Sequence, residues 1–239
     1  MKVRSILTAI TITLCATAAH AAVWYVNADN LDSGDGSAWE TAFVTVQEGI
    51  DAAYNDGGGE VWVAEGTYSE TRISFPHGFE AGNTGSIMMQ PGVHLYGGFA
   101  GIETERDQRD PIADETILDG STARNGDPAY HVIVGANEST LDGFTVTAGI
   151  ADGDYEKYHG AGIYNESSSP TISNCTFAGN SASSAYGDGG GMCNRNSSVP
   201  IVTNCTFINN DADDGGGMYN DAYSPTVAKC TFIKNDGGK

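Results

Sequence analysis

One segment of the chain recurs three times, and this repeat restricts the possible folds more than any other feature. The copies begin at Pro170, Pro200 and Pro225, and each contains a Cys-Thr-Phe triplet followed three residues later by asparagine. The cysteines of successive copies are 30 and 25 residues apart. Self-similarity at this period predicts a solenoid, in which each repeat buries its apolar face only by stacking on its neighbours.

The spacing within each copy indicates the type of solenoid. Ile172 and Cys175 are three residues apart, so one continuous strand would send them to opposite faces. A two-residue corner at Ser173-Asn174 lets both point inward, and asparagine suits it because it tolerates the left-handed conformation. The same corner is predicted at Asp119-Gly120, Asp142-Gly143, Thr203-Asn204 and Ala228-Lys229. The pattern therefore predicts an all-β, three-sided parallel β-helix, and the absence of long helical periodicity argues against helical repeats.

A glycine-rich motif alternates with the copies, at residues 160–165, 189–194 and 215–220. Coils stacked ~4.8 Å apart would align equivalent side chains in columns, and asparagines could bridge the backbones of successive coils. The predicted inner columns are Cys175, Cys205 and Cys230; Phe177, Phe207 and Phe232; and Asn180, Asn210 and Asn235. A Cβ separation of ~4.8 Å exceeds the ~3.8 Å of a disulfide, which favours buried free thiols. Cys193, within a glycine-rich motif, is predicted to lie on the outside.

The N-terminal part of the chain lacks these repeats. Thr45 and Glu48 fit a capping box, so a short amphipathic helix is predicted from there to Tyr54, covering the open end of the solenoid. Strands are predicted at residues 60–64 and 93–99, with a side loop at 71–86.

These features divide the chain. We expect an N-terminal cap with the first coils at residues 22–92, and parallel β-helix repeats at 93–239. Residues 235–239 look like the start of another glycine-rich strand, which predicts that the repeats are truncated at the C-terminus.

Residues 1–21 have the pattern of a secretory signal peptide. Lys2 and Arg4 precede an apolar run at residues 6–18, and two alanines spaced two apart end the segment before Ala22. The apolar run is shorter than the ~20 residues of a transmembrane helix. We expect cleavage before Ala22, no transmembrane span in the mature chain, and a secreted, outer-membrane or cell-surface location.

The chain is strongly acidic, with 31 acidic and 11 basic residues and a formal net charge of −20. Cleavage before Ala22 would remove Lys2 and Arg4 and no acidic residue, which changes the charge to −22. Such a charge argues against nucleic acid as a partner, because the phosphates would be repelled.

The repeats resemble those of the polymorphic outer-membrane proteins, which are autotransporter adhesins of the Chlamydia type. The resemblance rests on Gly-Gly-apolar motifs, as at Gly190 and Gly216, combined with Phe-x-x-Asn motifs such as Phe177 to Asn180. Residues 24–68 and 95–101 are similar to pectate-lyase-like bacterial surface proteins. The resemblance implies a right-handed, single-stranded parallel β-helix that serves as an adhesin-like or glycan-binding scaffold rather than as an enzyme.

A calcium-dependent polysaccharide lyase is the alternative function, because the pectate-lyase-like superfamily also contains enzymes. The candidate calcium ligands, in acidic loops near the glycine-rich motifs, are Asp188, Asp211, Asp213 and Asp214. Arg195 is the candidate for a catalytic base or a substrate clamp. The aspartates also fit solvated turns, and the Trp-Ile-Asp-His signature of pectate lyases is absent. Calcium is therefore possible, and no cofactor is required.

Two tyrosines are candidates for contact with a polysaccharide or a cell-surface glycan. Tyr164 and Tyr219 alternate with Ile163 and Met218, so both should face outward and form an exposed aromatic row. Such a row would suit the apolar faces of sugar rings. The tyrosines could equally cover a sheet edge, since tyrosine combines an apolar ring with a polar tip.

Overall fold

The computed structural model describes residues 22–72, 85–182, 186–221 and 223–238. The strands in these ranges are β1 Val23–Val26, β2 Gly59–Ala64, β3 Gly66–Tyr68, β4 Ile87–Met88, β5 Val93–Phe99, β6 Thr116–Asp119, β7 Ile133–Val134, β8 Thr140–Asp142, β9 Phe144–Thr147, β10 Ile163–Glu166, β11 Thr171–Ser173, β12 Thr176–Ala178, β13 Ser181–Ala182, β14 Met192–Arg195, β15 Ile201–Thr203, β16 Thr206–Ile208, β17 Asp211–Ala212, β18 Met218–Asn220, β19 Thr226–Ala228, β20 Thr231–Ile233 and β21 Asp236–Gly237. The helices are α1 at Val46–Asn55 and three 3₁₀ turns at Trp39–Thr41, Arg106–Gln108 and Tyr155–Tyr158.

Equivalent strands of successive coils stack into three main parallel sheets. Sheet 1 has the order β1-β2-β5-β8-β11-β15-β19, sheet 2 the order β3-β6-β9-β12-β16-β20, and sheet 3 the order β4-β7-β10-β14-β18. A short fourth ladder contains β13, β17 and β21. From β2 onward the chain passes through sheets 1, 2 and 3 in turn, so the predicted all-β, three-sided parallel β-helix is confirmed.

Columns of similar side chains fill the interior. The rings of Phe177 and Phe207 stack with their centroids 4.9 Å apart, and those of Phe207 and Phe232 with theirs 4.8 Å apart, which is the spacing of neighbouring strands. Sheet 1 contributes an apolar column of Val61, Leu95, Leu141, Ile172 and Val202. The predicted phenylalanine column is confirmed.

The predicted cysteine column is also present. Cys175 and Cys205 are buried, and Cys230 is half-buried. The thiol of Cys175 lies 3.6 Å from the carbonyl oxygen of Leu141 in the preceding coil, and that of Cys205 lies 3.8 Å from the carbonyl oxygen of Ile172. Burial raises the pKa of Cys175. These thiols therefore act as small apolar fillers with a weak backbone contact.

The tight corner between sheets 1 and 2 places one residue of each of four coils in the left-handed region. These residues are Gly143, Asn174, Asn204 and Lys229, with φ values from 53° to 85°. The prediction of the same corner at Asp119-Gly120 is wrong. Leu118 pairs with Val146 in sheet 2, so Asp119 lies at the end of β6, beyond the corner. Its coil turns earlier, at Gly98 (φ 91°) near the end of β5.

Two asparagine columns connect the coils. In the predicted column, Asn180 and Asn210 are joined by a side-chain hydrogen bond of 3.1 Å, and Asn210 and Asn235 by one of 2.9 Å. The Asn210 amide also donates to the carbonyl oxygen of Phe177 in the preceding coil, at 2.9 Å. The predicted bridging of backbones is confirmed. A second column, at the ends of the glycine-rich motifs, contains Asn165, Asn194 and Asn220.

Helix α1 covers the N-terminal end of the coils. The Thr45 hydroxyl accepts the backbone N–H of Glu48, and the Glu48 carboxylate accepts the backbone N–H of Thr45 at 3.1 Å. Val46, Ile50 and Ala53 form its buried face. The predicted capping box and short helix are confirmed.

The remaining N-terminal predictions have mixed outcomes. The strand predicted at 93–99 is β5. The predicted signal peptide, and most of the loop predicted at 71–86, lie outside the described residues. Within the described ranges, the structure contains no helix with the length and apolar character needed to cross a membrane.

Candidate functional site

A loop at residues 100–115 leaves the coil between β5 and β6 and is held against the solenoid. Arg109 provides the attachment, because its guanidinium donates to the carbonyl oxygens of Gly97, at 2.8 Å, and Asp142, at 3.1 Å. It also forms an ion pair with the Asp142 carboxylate. That carboxylate accepts two hydrogen bonds from the Asn174 amide, at 3.0 and 3.1 Å. The loop is thereby tied to three successive coils.

The attached loop forms one wall of a groove of about 550 Å³ along sheet 2. The residues of the wall are Arg106, Asp107, Arg109, Asp110, Pro111, Ile112 and Glu115. The floor contains Thr145, Thr176 and Thr206, flanked by Asn174 and Asn204 at the tight corner. The three threonines are neighbours in the register of β9, β12 and β16, so the groove crosses three coils.

The alternation of the repeat directs the threonines into the groove. Phe177 and Phe207 point into the core, so the preceding Thr176 and Thr206 point outward. Thr145 donates a hydrogen bond to the Glu115 carboxylate, at 2.9 Å. The hydroxyls of Thr176 and Thr206 have no hydrogen-bond partner in the described part of the chain, so they are available to a ligand.

The sequence predictions missed this groove, although part of the signal was present. The threonine of each Cys-Thr-Phe triplet has to face outward once the cysteine and phenylalanine face inward. The wall could not be predicted in the same way, because Arg109 bonds to backbone groups 12 and 33 residues away.

A second candidate region is a polar cluster beside sheet 3. Asp188 and Arg195, both predicted site residues, lie together, with 3.7 Å between Oδ2 and Nη1. Arg195 Nε is 3.9 Å from Oδ2 of Asp221. His159, which had no predicted role, joins them: its Nε2 contacts the Arg195 guanidinium and its Nδ1 lies 3.1 Å from Oδ2 of Asp188.

The tautomer of the neutral His159 ring follows from its partners. A guanidinium can only donate, so Nε2 accepts from Arg195 and Nδ1 carries the proton that faces Asp188. In the other tautomer, Nδ1 would accept the Asp188 N–H at 3.1 Å, but Nε2–H would then face the guanidinium. Burial, with the Arg195 charge, lowers the pKa of His159 to about 4, and burial raises the pKa of Asp188. The N–H groups of Arg195 that face this cluster therefore already have partners in His159, Asp188 and Asp221.

Comparison with known families identifies the architecture. Residues 100–238, more than half of the chain, match the family model described as a right-handed beta helix region. The chain belongs to this family. The parallel sheets of the structure agree with this assignment, and the family adds their handedness. Neither a curated protein nor a solved structure matches the chain.

The other predicted calcium ligands of this β-helix do not converge with Asp188. Asp214 pairs with Asp188 through the backbone, Asp213 accepts the backbone N–H of Tyr186 at 2.6 Å, and Asp211 lies beside Asp236 in the fourth ladder. Across the described ranges, no three aspartate, glutamate, histidine or cysteine side chains are grouped so that they could hold a metal ion. Of the predicted site residues, the structure therefore brings together Asp188 and Arg195.

The predicted row of exposed tyrosines is wrong for Tyr164. Tyr164, Cys193 and Tyr219 share one register position of sheet 3, but Tyr164 is only 6% exposed and its ring stacks on His131 at 4.9 Å. Tyr219 is half-buried. The prediction that Cys193 lies outside is also wrong, because its side chain is fully buried. The ring of His131, just before β7, therefore covers Tyr164, and its Nδ1 lies 3.2 Å from the carbonyl oxygen of Gly160.

Proposed function

We propose that this protein is an exported β-helix scaffold that binds a polysaccharide chain in the groove beside the loop at residues 100–115. The observation that carries the proposal is the groove floor, where Thr145, Thr176 and Thr206 repeat along the axis at the coil spacing of ~4.8 Å. A sugar ring in an extended chain is comparable in length to this spacing, so successive rings can meet equivalent side chains. Export, and display at a cell surface as in an adhesin, rest on the signal-peptide pattern and the resemblance of the repeats.

The chemistry of the groove suits a hydroxyl-rich polymer. The hydroxyls of Thr176 and Thr206, together with the Asn204 amide, can exchange hydrogen bonds with sugar hydroxyls. The groove is open along the solenoid, so a long chain can lie in it without threading through an enclosed cavity. Arg109 holds the wall against the coils. A ligand therefore has to order less of the loop on binding, which lowers the entropic cost of binding.

The experiment is a binding measurement on the purified protein with soluble β-glucan, xylan, galactomannan and polygalacturonate, by affinity electrophoresis and calorimetry. The double variant Thr176→Val and Thr206→Val removes two groove hydroxyls while keeping similar side-chain shapes. We expect binding to weaken about tenfold, since each hydrogen bond contributes roughly 0.5–1.5 kcal/mol.

A matched control is available on the outer face of sheet 1. The double variant Thr171→Val and Thr226→Val makes the same chemical change outside the groove and should bind like the wild type. Equal losses in the two double variants would place the binding surface elsewhere. If none of the four polysaccharides binds, the proposed function is wrong.

One observation favours the alternative function, a calcium-dependent polysaccharide lyase. Asp188 and His159 combine burial with shifted pKa values beside Arg195, and such combinations are enriched at catalytic sites. The test is the ultraviolet absorbance of unsaturated uronate products from polygalacturonate, with and without calcium. The scaffold function predicts no product, whereas product formation that Arg195→Ala abolishes would establish the lyase.

A further inference from the structure

Both arginines beside the groove are already paired with carboxylates of the protein. Arg106 forms an ion pair with Glu60, and its guanidinium lies 4.5 Å from the centroid of the Tyr96 ring. Arg109 forms its ion pair with Asp142. The largely buried Arg109 is therefore not free to neutralise a carboxylate of a bound ligand, and the half-exposed Arg106 already has Glu60 as its counter-charge.

Three carboxylates on the same wall have no basic partner within the described ranges. They belong to Asp107, Asp110 and Glu115. Asp110 accepts the backbone N–H groups of Ile112 and Ala113, at 3.0 and 3.2 Å, which leaves its negative charge in place. The wall and its ion-pair partners thus combine two arginines with five carboxylates, so their net charge is negative.

This negative charge disfavours acidic polymers. A polyuronate would bring one further carboxylate with each sugar into the groove, and the repulsion would be strongest at low ionic strength. The protein as a whole, with its formal net charge of −20, adds to the repulsion at long range. A polymer without charge meets no such barrier.

We infer that the groove takes a neutral polysaccharide and discriminates against polyuronates. The inference rests on the proposed function and specifies its ligand class. The uncharged floor, with the free hydroxyls of Thr176 and Thr206, supplies hydrogen bonds to sugar hydroxyls. The acidic wall excludes polyuronates by electrostatic repulsion, which is one way in which specific sites reject competing ligands.

The test compares the binding of soluble β-glucan, xylan and galactomannan with that of polygalacturonate, at low and high ionic strength. We expect at least one neutral polymer to bind with little dependence on salt, and polygalacturonate not to bind at low ionic strength. If polygalacturonate binds, and the double variant Thr176→Val with Thr206→Val weakens its binding, the inference is wrong. The groove would then still be a polysaccharide site. Absence of binding by every polymer would defeat the proposed function as well.

A charge variant tests the cause of the discrimination. Asp107→Asn with Glu115→Gln removes two negative charges from the wall, and the new glutamine can still accept the hydrogen bond from Thr145. At low ionic strength the variant should bind polygalacturonate measurably, so its affinity relative to that for the neutral polymer should rise about fivefold or more above the detection limit of the wild type. Asp152→Asn with Asp154→Asn changes the total charge equally at exposed positions between β9 and β10, and should leave this ratio unchanged. An equal rise in both variants would show that overall charge, not the groove wall, excludes polyuronates.

Discussion

The side-chain amide nitrogen of Asn210 lies 3.1 Å from the position that a β-carbon would occupy on Gly191. The same distance separates the amide of Asn180 from that position on Gly162, and the amide of Asn235 from that position on Gly217. The two repeated motifs of the sequence therefore meet inside the solenoid. The glycine-rich strand leaves the space in which the asparagine column bonds to the backbone of the preceding coil.

Replacing Gly191 by alanine should therefore destabilise the protein. The new methyl group would also meet the carbonyl oxygen of Gly217 at 2.5 Å, and backbone cannot move away cheaply. We expect the free energy of unfolding, measured by urea denaturation, to fall by about 3 kcal/mol. Gly126→Ala is the control, because a β-carbon there has no neighbour within 4 Å and only its φ of 98° costs energy, roughly 1 kcal/mol. Equal losses would contradict the steric argument.

The asparagine column can be tested at its centre. Asn210→Leu would leave the carbonyl of Phe177 and the backbone N–H of Asn180 buried without their partner. Each unsatisfied group costs about 1–3 kcal/mol, so we expect a loss of about 3 kcal/mol in the free energy of unfolding. The neighbouring Asn209 is exposed and left-handed (φ 53°), so Asn209→Gly should change stability by less than ~0.5 kcal/mol. A leucine variant as stable as this control would mean that the column does not hold the coils together.

Sequence reasoning succeeded where the deciding information is local. The spacing of Ile172, Cys175 and Phe177 predicts the tight corner and the inner columns, because alternation along a strand decides which face a side chain takes. The outward orientation of Thr176 in the groove follows from the same alternation. These features repeat in consecutive coils, so an interpretation that is correct for one coil applies to its neighbours as well.

The remaining features depend on contacts between segments distant in sequence. Tyr164 alternates outward as predicted, but the ring of His131 from the preceding coil stacks on it. Asp119 has the sequence of a corner, but its coil turns at Gly98 instead, and the register places Asp119 in sheet 2. Arg109 forms the groove wall through contacts with other coils, which no local pattern indicates.

Acid should destabilise the β-helix through its buried histidines. Burial lowers the pKa of His131 to about 4, and burial together with Arg195 lowers the pKa of His159 to about 4. A histidine in the unfolded chain titrates near pH ~6.5, so between pH ~6.5 and pH ~4 the unfolded state binds more protons than the folded state. The free energy of unfolding should therefore fall as the pH is lowered through this window, with about 3 kcal/mol attributable to His131.

Urea denaturation from neutral pH down to pH ~4.5 measures this effect. His131→Phe keeps an aromatic ring against Tyr164 and removes the titrating group, so the variant should show a shallower dependence of stability on pH. An identical slope in the variant and the wild type would show that His131 titrates normally in the folded protein.

Loss of Arg109 should release the loop that forms the groove wall. The side chains of Arg109 and Asp142 are only 15% and 12% exposed, so Arg109→Ala leaves a largely buried carboxylate without its cation and should cost about 3 kcal/mol. Hydrogen–deuterium exchange should increase at residues 100–115, and polysaccharide binding should weaken with it. Arg106→Ala is the control, because that side chain is 46% exposed and its ion pair should contribute less than ~1 kcal/mol. Unchanged exchange in the loop after Arg109→Ala would mean that other contacts hold the wall in place.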